Sequence, residues 1–600
     1  MERFDCVVVG AGWYGLGAAK QYHCMFPDSS LVIFDAAPTL GGTWADHRIY
    51  PGLKSNNQLG TFEFPDFPMD TATFGVQTRE HIPGGVLNAY LKAYAAKFGI
   101  DTLIRANSKV TVAEHQETAE GGWVLTVASG QQETTVFARR LIIASGLTSE
   151  AFLPHFDGEE TFGGRIFHGR DFLQNKDTIQ EGKSVTVYGG TKFAWDAVYA
   201  YASAGAKVNW VIRSSGHGPC WMAPPFVTPF KKWIEALANV RFLSWFSPCI
   251  WGDVDGYGRI RRFLHGTAFG RALVDGFWHV LGGDVLALNK YDAHPKTAKL
   301  KPWTEAMFTA TSFSIVNWET DIWELIKSDL VDVHIGEIDH LSPGKVHLAD
   351  GTEFESDAFL AHTGWKHVPP MKFLPESIER ELGLPHAPAQ DAPEEDLANQ
   401  TALVKRADKE IFARFPRLKT QPVWNKNYIP MTEQRGIHSS DEVTPYTPLT
   451  PFMLYHFIVP PAERFLRTRD VAFAGMVSNF SNVITSHLQG LWISAYFSGR
   501  LANDPAAAVG DHDAMAALRY ETVLHNRFGK WRYPTEWHKS PCFIFDAVPY
   551  LDLLLRDLGL DPPHKGSLWA DVWHPYLSRD YRAINENWKN KYGSDKPDVI

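Results

Sequence analysis

Six hundred residues, 44% of them apolar, are too many for one hydrophobic core, so two or more domains are expected. Lys and Arg total 58 against 68 Asp and Glu, a net charge of -10 with no long basic run, which argues against a nucleic-acid partner. Five cysteines, at 6, 24, 220, 249 and 542, are odd in number and widely spaced, so neither a disulfide framework nor a metal site is expected.

The chain opens MERFDCVVVGAG, which enters a strand almost at once and leaves no room for a signal peptide, and no long uncharged apolar run follows. A soluble, reducing, cytoplasmic setting is the expectation. FDCVVVGAGWYG (4–15) reads as strand, glycine turn and helix start. SLVIFDA (30–36) is a second short strand ending in Asp35, and the segment between has the length of a helix, which makes a βαβ unit. Residues 86–98 carry apolar side chains at helical spacing, and VFARRLIIASG (136–146) is a further buried strand.

The pattern restarts at SVTVYGG (184–190), runs through DAVYAYASAGA and ends at KVNWVIR (207–213), a second βαβ unit inside the chain. Residues 219–310 then hold little strand pattern and many aromatics, expected as a helical subdomain; a peripheral membrane surface is weighed and not expected. Strand-like material returns near 331–363 and at DVAFAG (470–475), followed by the helical run 488–499. The last hundred residues, rich in Trp, Tyr and Pro, are expected as irregular structure and short helices.

Gly10, Gly12 and Gly15 fit GxGxxG directly after a strand, with Asp35 at the end of the next one. The first glycine permits the turn, the second lets backbone amides approach a pyrophosphate, and the third lets helix pack on strand. Asp35 accepts ribose hydroxyls and repels a 2'-phosphate.

The next segment, LGGTWADHRIYPGLKSNNQLGTFEFPDFPM (40–69), carries GGTW, YPG, an Asn-containing stretch and a DFP tail. Together these resemble class B flavin-dependent monooxygenases, the group of flavin-containing and Baeyer–Villiger monooxygenases, in a fungal-type branch. Phe162, Gly164, His168 and Phe172 match that family's FxGxxxHxxxF fingerprint. IIASG (142–146) and AHTGW (361–365) resemble its interdomain linkers, and VAFAGM (471–476) its late flavin-binding strand. The resemblance covers roughly 4–215 and 330–500.

It implies two Rossmann-like α/β domains, the nicotinamide domain inserted in the FAD domain. The expected division is 1–150 and 361–500 for FAD, 151–218 and 311–360 for NADPH, 219–310 for the helical insertion and 501–600 for a C-terminal extension. By position, Gly10, Gly12, Gly15, Asp35, Gly42, Thr43, Trp44, Gly146 and Gly475 would hold FAD, with Trp44 bordering the isoalloxazine and excluding water. Asn56 sits where the family places an asparagine beside the flavin oxygen adduct; a neutral amide there donates and accepts without supplying a strong acid. Asn57 competes for that role, and either asparagine also reads as a turn cap. His168 reads as a structural residue near the nicotinamide path or as a proton-transfer base. Asp66 reads as an orienting group near the flavin or as a loop aspartate.

The second turn departs from the family pattern. Gly189 holds its first place and Asp196 its last, but Thr191 replaces the middle glycine and Phe193 a serine. Gly190 compensates one residue earlier, and Ala194 is small enough for the helix–strand contact. Lys192 is placed to assist a phosphate or to face water. Arg213, after the next strand, suits the 2'-phosphate of NADPH, as a guanidinium fork does.

The mechanism implied is hydride transfer from NADPH to FAD, formation of a C4a-(hydro)peroxyflavin with molecular oxygen, and transfer of one oxygen atom to an apolar organic substrate. A Baeyer–Villiger enzyme of the main type carries an arginine late in the nicotinamide domain. TSFSIVNWETDIW (311–323) has none, and Arg48, in the ADHRI stretch between GGTW and YPG, is the alternative cation. Two other readings remain: an FAD-dependent oxidase or dehydrogenase with a decayed nicotinamide site, and a noncatalytic FAD-binding protein.

Overall fold

The computed structural model describes residues 1–227, 231–388, 394–423, 425–536 and 540–593. Two sheets organise it. In the first, the order is Lys372–Leu374, Lys109–His115, Trp123–Ser129, Gln132–Ile143, Glu2–Val9, Leu31–Phe34 and Ile104–Arg105, with Val471–Phe473 also paired to Gln132–Ile143. Glu2–Val9 runs parallel to both of its neighbours, which is the register a βαβ crossover imposes, while 109–143 forms an antiparallel meander. The second sheet is wholly parallel, in the order Arg165–His168, Ala358–Ala361, Ser184–Tyr188, Lys207–Ile212 and Val331–Ile335.

These are two Rossmann-like domains, one nested in the other: the chain leaves the first sheet after Ile143, builds the second, and returns with Lys372–Leu374 and Val471–Phe473. The central strands are continuous apolar runs because helices cover both faces of a parallel sheet. Helix Trp13–Met25 lies against helix Asn482–Phe497, whose residues from Val483 to Phe497 are all buried. A Cβ on Gly490 would stand 2.8 Å from the Gly17 carbonyl oxygen, so the two backbones approach as closely as glycine allows.

The 219–310 segment contains helices Ile234–Ala238, Arg241–Ser244, Gly258–Gly266 and Ala268–Asn289, as expected of it; its residues 228–230 lie outside the described residues. It also holds short strands, one of which, Met222–Ala223, pairs with Ser314–Ile315, beyond the expected end at 310. The C-terminal extension differs from expectation. It contains a 21-residue helix, His512–Arg532, and an 11-residue helix, Ala547–Asp557; residues 594–600 lie outside the described residues. The long helix is capped by Asp511, which accepts from the backbone N–H of Asp513 and Ala514 at 2.9 and 3.0 Å. Insertion and extension pack on each other through the buried pair Arg241–Asp552, with Nη2 donating to Oδ1 at 3.1 Å. Among the described residues no helix is long and apolar enough to cross a membrane.

Candidate active site

One cavity of about 850 Å³ is lined by residues of both nucleotide-type units. From the first come Gly10, Gly12, Asp35, Gly42, Thr43, Trp44, Gly146 and Gly475. Gly10 has φ +107°, and a Cβ there would lie 2.4 Å from the Ala144 carbonyl oxygen, so only glycine makes this turn. Gly12 caps helix Trp13–Met25, and its Cα stands 3.1 Å from a Cβ built on Gly42: the first turn and the GGTW loop meet glycine to glycine. That close approach leaves a cradle of backbone amides at a helix N-terminus, a site for a pyrophosphate.

Gly15 does not line the cavity; its role is packing, since a Cβ would overlap the Gly10 carbonyl at 1.8 Å. Asp35 accepts from the backbone N–H of Ala11 at 2.6 Å and of Ala37 at 2.7 Å, and burial raises its pKa against those two bonds. Each carboxylate oxygen retains a lone pair for a ribose hydroxyl. Trp44 contributes its ring to the wall and packs edge-on against Phe62, while its carbonyl accepts from Asn88 Nδ2 at 2.8 Å. The residues present fit FAD.

Asn56 and Asn57 both line the cavity. They lie on strand Lys54–Gln58, which pairs with His81–Pro83. Asn57 Nδ2 donates to Glu235 Oε1 at 2.5 Å and to the Phe480 carbonyl at 2.9 Å. Arg48 also lines it; its Nη1 donates to the Thr148 carbonyl at 3.3 Å and its guanidinium lies 5.4 Å from the Trp365 ring centre. Burial, with neighbouring Arg170, lowers the Arg48 pKa to about 10.

Two of the proposed catalytic residues stand elsewhere. Asp66 is absent from the cavity wall: it is ion-paired with Lys20, accepts from Asn585 Nδ2 at 3.2 Å and lies 3.6 Å from His487. It joins the first helix to the C-terminal extension. His168 is buried, and its Nδ1 accepts from the Arg170 backbone N–H at 3.1 Å, capping the turn after its strand. Its ring packs against Trp365 and His362, and burial lowers its pKa to about 4, with Arg170 and Arg48 adding to the shift. This geometry is that of its structural reading.

The second turn has its own solution. Gly189 has φ +142°, and a Cβ on Gly190 would lie 2.7 Å from the Gly218 carbonyl oxygen, so both are held by backbone packing. Thr191 caps helix Lys192–Ser203 at φ -85°, ψ 171°, a conformation open to any residue. Neither Gly189, Gly190 nor Thr191 lines the cavity, whereas Lys192, Phe193 and Asp196 do. Phe193 stacks on His362 with ring centres 4.5 Å apart and meets Tyr50 edge-on. Lys192 Nζ is paired with Asp196 at 2.5 Å and donates to Asn317 at 2.9 Å, which directs it inward rather than to water. Arg213 follows strand Lys207–Ile212 and donates to the Ile429 carbonyl at 3.1 Å and to Ser215 Oγ at 3.3 Å. Arg213 is buried and, like Thr191, absent from the cavity wall; both of its bonds use Nη1, which leaves the Nε and Nη2 donors.

Sequence reasoning passed over several wall residues. Arg170 stands inside the fingerprint stretch and adds a second cation near Arg48; its position was there to be read. Lys54, Lys109 and His47 add further basic groups, and Ser478 and Asn482 come from the loop after the late strand. Glu235 had no local signal, because it reaches the asparagine strand from the inserted segment.

A family described as flavin-binding monooxygenase-like matches residues 5–224. An FAD-dependent monooxygenase of Aspergillus nomiae, rstn6, is 31% identical over 98% of each chain, and an FAD-dependent monooxygenase of Pyrenophora dematioidea is 33% identical over 94% of this chain and 99% of its own. Among solved structures, cyclohexanone monooxygenase from Rhodococcus sp. Phi1 bound to NADP+ is similar in fold, with a TM-score of 0.58 at 16% identity over 93% of this chain and 98% of that one.

Proposed function

The chain belongs to the flavin-binding monooxygenase-like family, and on that premise we propose that it uses NADPH and molecular oxygen to oxygenate an apolar amine, sulfide or ketone. The observation that carries this reading is a cavity lined by both units, with Asp35 and the first glycine turn contributing at one site and Lys192, Phe193 and Asp196 at the other. FAD, when bound, supplies hydride acceptance and activation of oxygen; this reading includes the C4a route set out above.

The chain's own residues have the following parts. Gly10, Gly12 and Gly42 bring backbone amides to the pyrophosphate. Asp35 holds the adenosine ribose. Trp44 and Phe62 keep water from the ring system. Asn56 and Asn57 present neutral amides, and Arg48 with Arg170 supplies positive charge where an anionic oxygen group develops. Arg213 receives the 2'-phosphate of NADPH. The buried, unpaired cysteines 6, 220, 249 and 542 favour a reducing cytoplasmic location.

The test is a screen of amines, sulfides and ketones under labelled dioxygen with NADPH. The expected result is one labelled oxygen atom per product and one NADPH oxidised per turnover. One observation favours the oxidase or dehydrogenase alternative: Lys192 is already neutralised by Asp196. Substrate loss matched by peroxide, independent of NADPH, would establish that alternative and overturn the proposal.

A further inference from the structure

The carboxyl that holds the two-asparagine strand comes from outside both nucleotide-binding units. Glu235 lies in the first turn of helix Ile234–Ala238, within the 219–310 segment, and is 0% exposed. Three donors converge on it: the Asn57 amide at 2.5 Å and the Thr61 hydroxyl on Oε1, and the Gln58 backbone N–H at 2.9 Å on Oε2. The neighbouring contacts fix the arrangement further. Trp233 lies 3.8 Å from where a Gly60 Cβ would stand, and Ser481 Oγ donates to Asn239 Oδ1 at 2.9 Å, so the segment also meets the turn after the asparagine strand and the residue next to Phe480.

A primary amide has two N–H donors and one acceptor oxygen. Asn57 gives one hydrogen to Glu235 and the other to the Phe480 carbonyl. Its Oδ1 is then the only atom of the amide left to serve the cavity that Asn57 lines. Rotating the amide by half a turn would set that oxygen against two acceptors in a buried place, which the low local dielectric penalises.

We propose that Glu235 is a positioning residue, which locks the Asn57 amide so that its carbonyl oxygen, and not its N–H, meets a proton-bearing group bound in the cavity. The inserted segment thereby takes part in the active site instead of only packing beside it. This rests on the flavin reading above, because the flavin is the bound group that reports on the amide.

Burial pushes the Glu235 carboxyl up to about 7 against the pull of Thr61, Gln58, Asn57 and Trp233. Above that value the carboxylate accepts all three bonds; below it, one carboxyl oxygen becomes a donor, and the charge-assisted hold on the amide weakens. His81, bonded to Gln58 at 3.4 Å, is held at about 4 by burial and stays neutral across this window.

The experiment is a pH titration of the visible flavin spectrum of the FAD-loaded protein, with FAD affinity measured alongside; neither readout needs NADPH or substrate. Wild-type protein should show a spectral step centred near pH 7. Glu235→Gln, of the same shape, should erase the step and weaken FAD binding about fivefold, the loss of one hydrogen bond. Should Glu235→Gln not fold, Asn57→Ser removes the amide instead and should erase the same step. A step that survives in the folded variant, with unchanged FAD affinity, overturns the proposal. Failure of the wild-type protein to bind FAD overturns this proposal and the flavin reading together, whereas FAD binding with unaltered variants overturns only this one.

Discussion

The two glycine turns of this protein perform the same backbone manoeuvre with different residues. Gly12 and Thr191 each cap the helix that follows, at φ -84° and -85°, both extended. Gly15 and Ala194 each face the preceding strand from the first turn of that helix. In the first unit a Cβ at the Gly15 position would overlap a carbonyl oxygen at 1.8 Å, while in the second Ala194 is accommodated and fully buried. The middle residue of the motif is therefore not glycine for conformational reasons. The two positions differ instead in their surroundings: Gly12 lines the cavity and Thr191 does not. A departure from GxGxxG thus leaves the βαβ frame intact.

The largest effect that would break this comparison is expected at its tightest point. Gly15→Ala forces a methyl group into the Gly10 carbonyl and should cost about 3 kcal/mol or more, lowering Tm and abolishing FAD retention. The mirrored change, Ala194→Gly, should cost less, about 2 kcal/mol at most, from the difference in helix preference and the loss of one buried methyl. Equal losses from the two variants, measured by thermal unfolding, would remove the asymmetry.

Next are the changes that act on ligands. Gly12→Ala has ordinary contact space, 3.6 Å to Gly42 Cα, so the protein should fold and bind FAD about tenfold more weakly, as one charge-assisted hydrogen bond is lost. Arg213→Ala should raise the NADPH KM by about tenfold and leave the NADH value unchanged, for the same reason. Steady-state kinetics with both nucleotides separates a phosphate contact from a merely structural one.

A smaller effect follows from pH. Burial holds His168, beside the second unit, at about 4, below its ordinary 6.5. The unfolded chain takes up that proton first, so the stability this neutral histidine carries is present above about pH 6.5 and is lost as pH falls towards 4. His362, in contact with it, shifts the same way by burial. His168→Asn should flatten the decline of Tm between pH 6.5 and 4.5; an unchanged slope would assign the acid sensitivity elsewhere. The smallest effect belongs to Thr191→Gly, which loses no side-chain cap bond and should change both stability and NADPH affinity by less than about threefold, as titrations would show.

Much of the frame was legible in the sequence. VVVGAG and VTVYGG announce themselves because strands buried on both faces are continuous apolar runs ending at a glycine turn, and Asp35 ends its strand where a ribose acceptor belongs. The site was legible only where it is local. Asp66 looked like a candidate because it follows the GGTW stretch, yet Lys20 and Asn585 hold it away from the cavity. Helix His512–Arg532 escaped because Arg, His and Trp interrupt its apolar face; its buried Arg532 and His525 find partners, Ser247 and Trp251, in the insertion, which no short window contains. Glu235 was invisible for the same reason: its meaning lies wholly in Asn57, Gln58 and Thr61.

The central claim is that the altered second turn still works with the first across one cavity. An anaerobic titration of FAD-loaded protein with NADPH, followed at the oxidised-flavin band, tests it most directly. The account predicts bleaching that is complete at one equivalent and faster than with NADH. Absence of bleaching by NADPH, both alone and in the presence of the sulfides, amines and ketones screened, would contradict it.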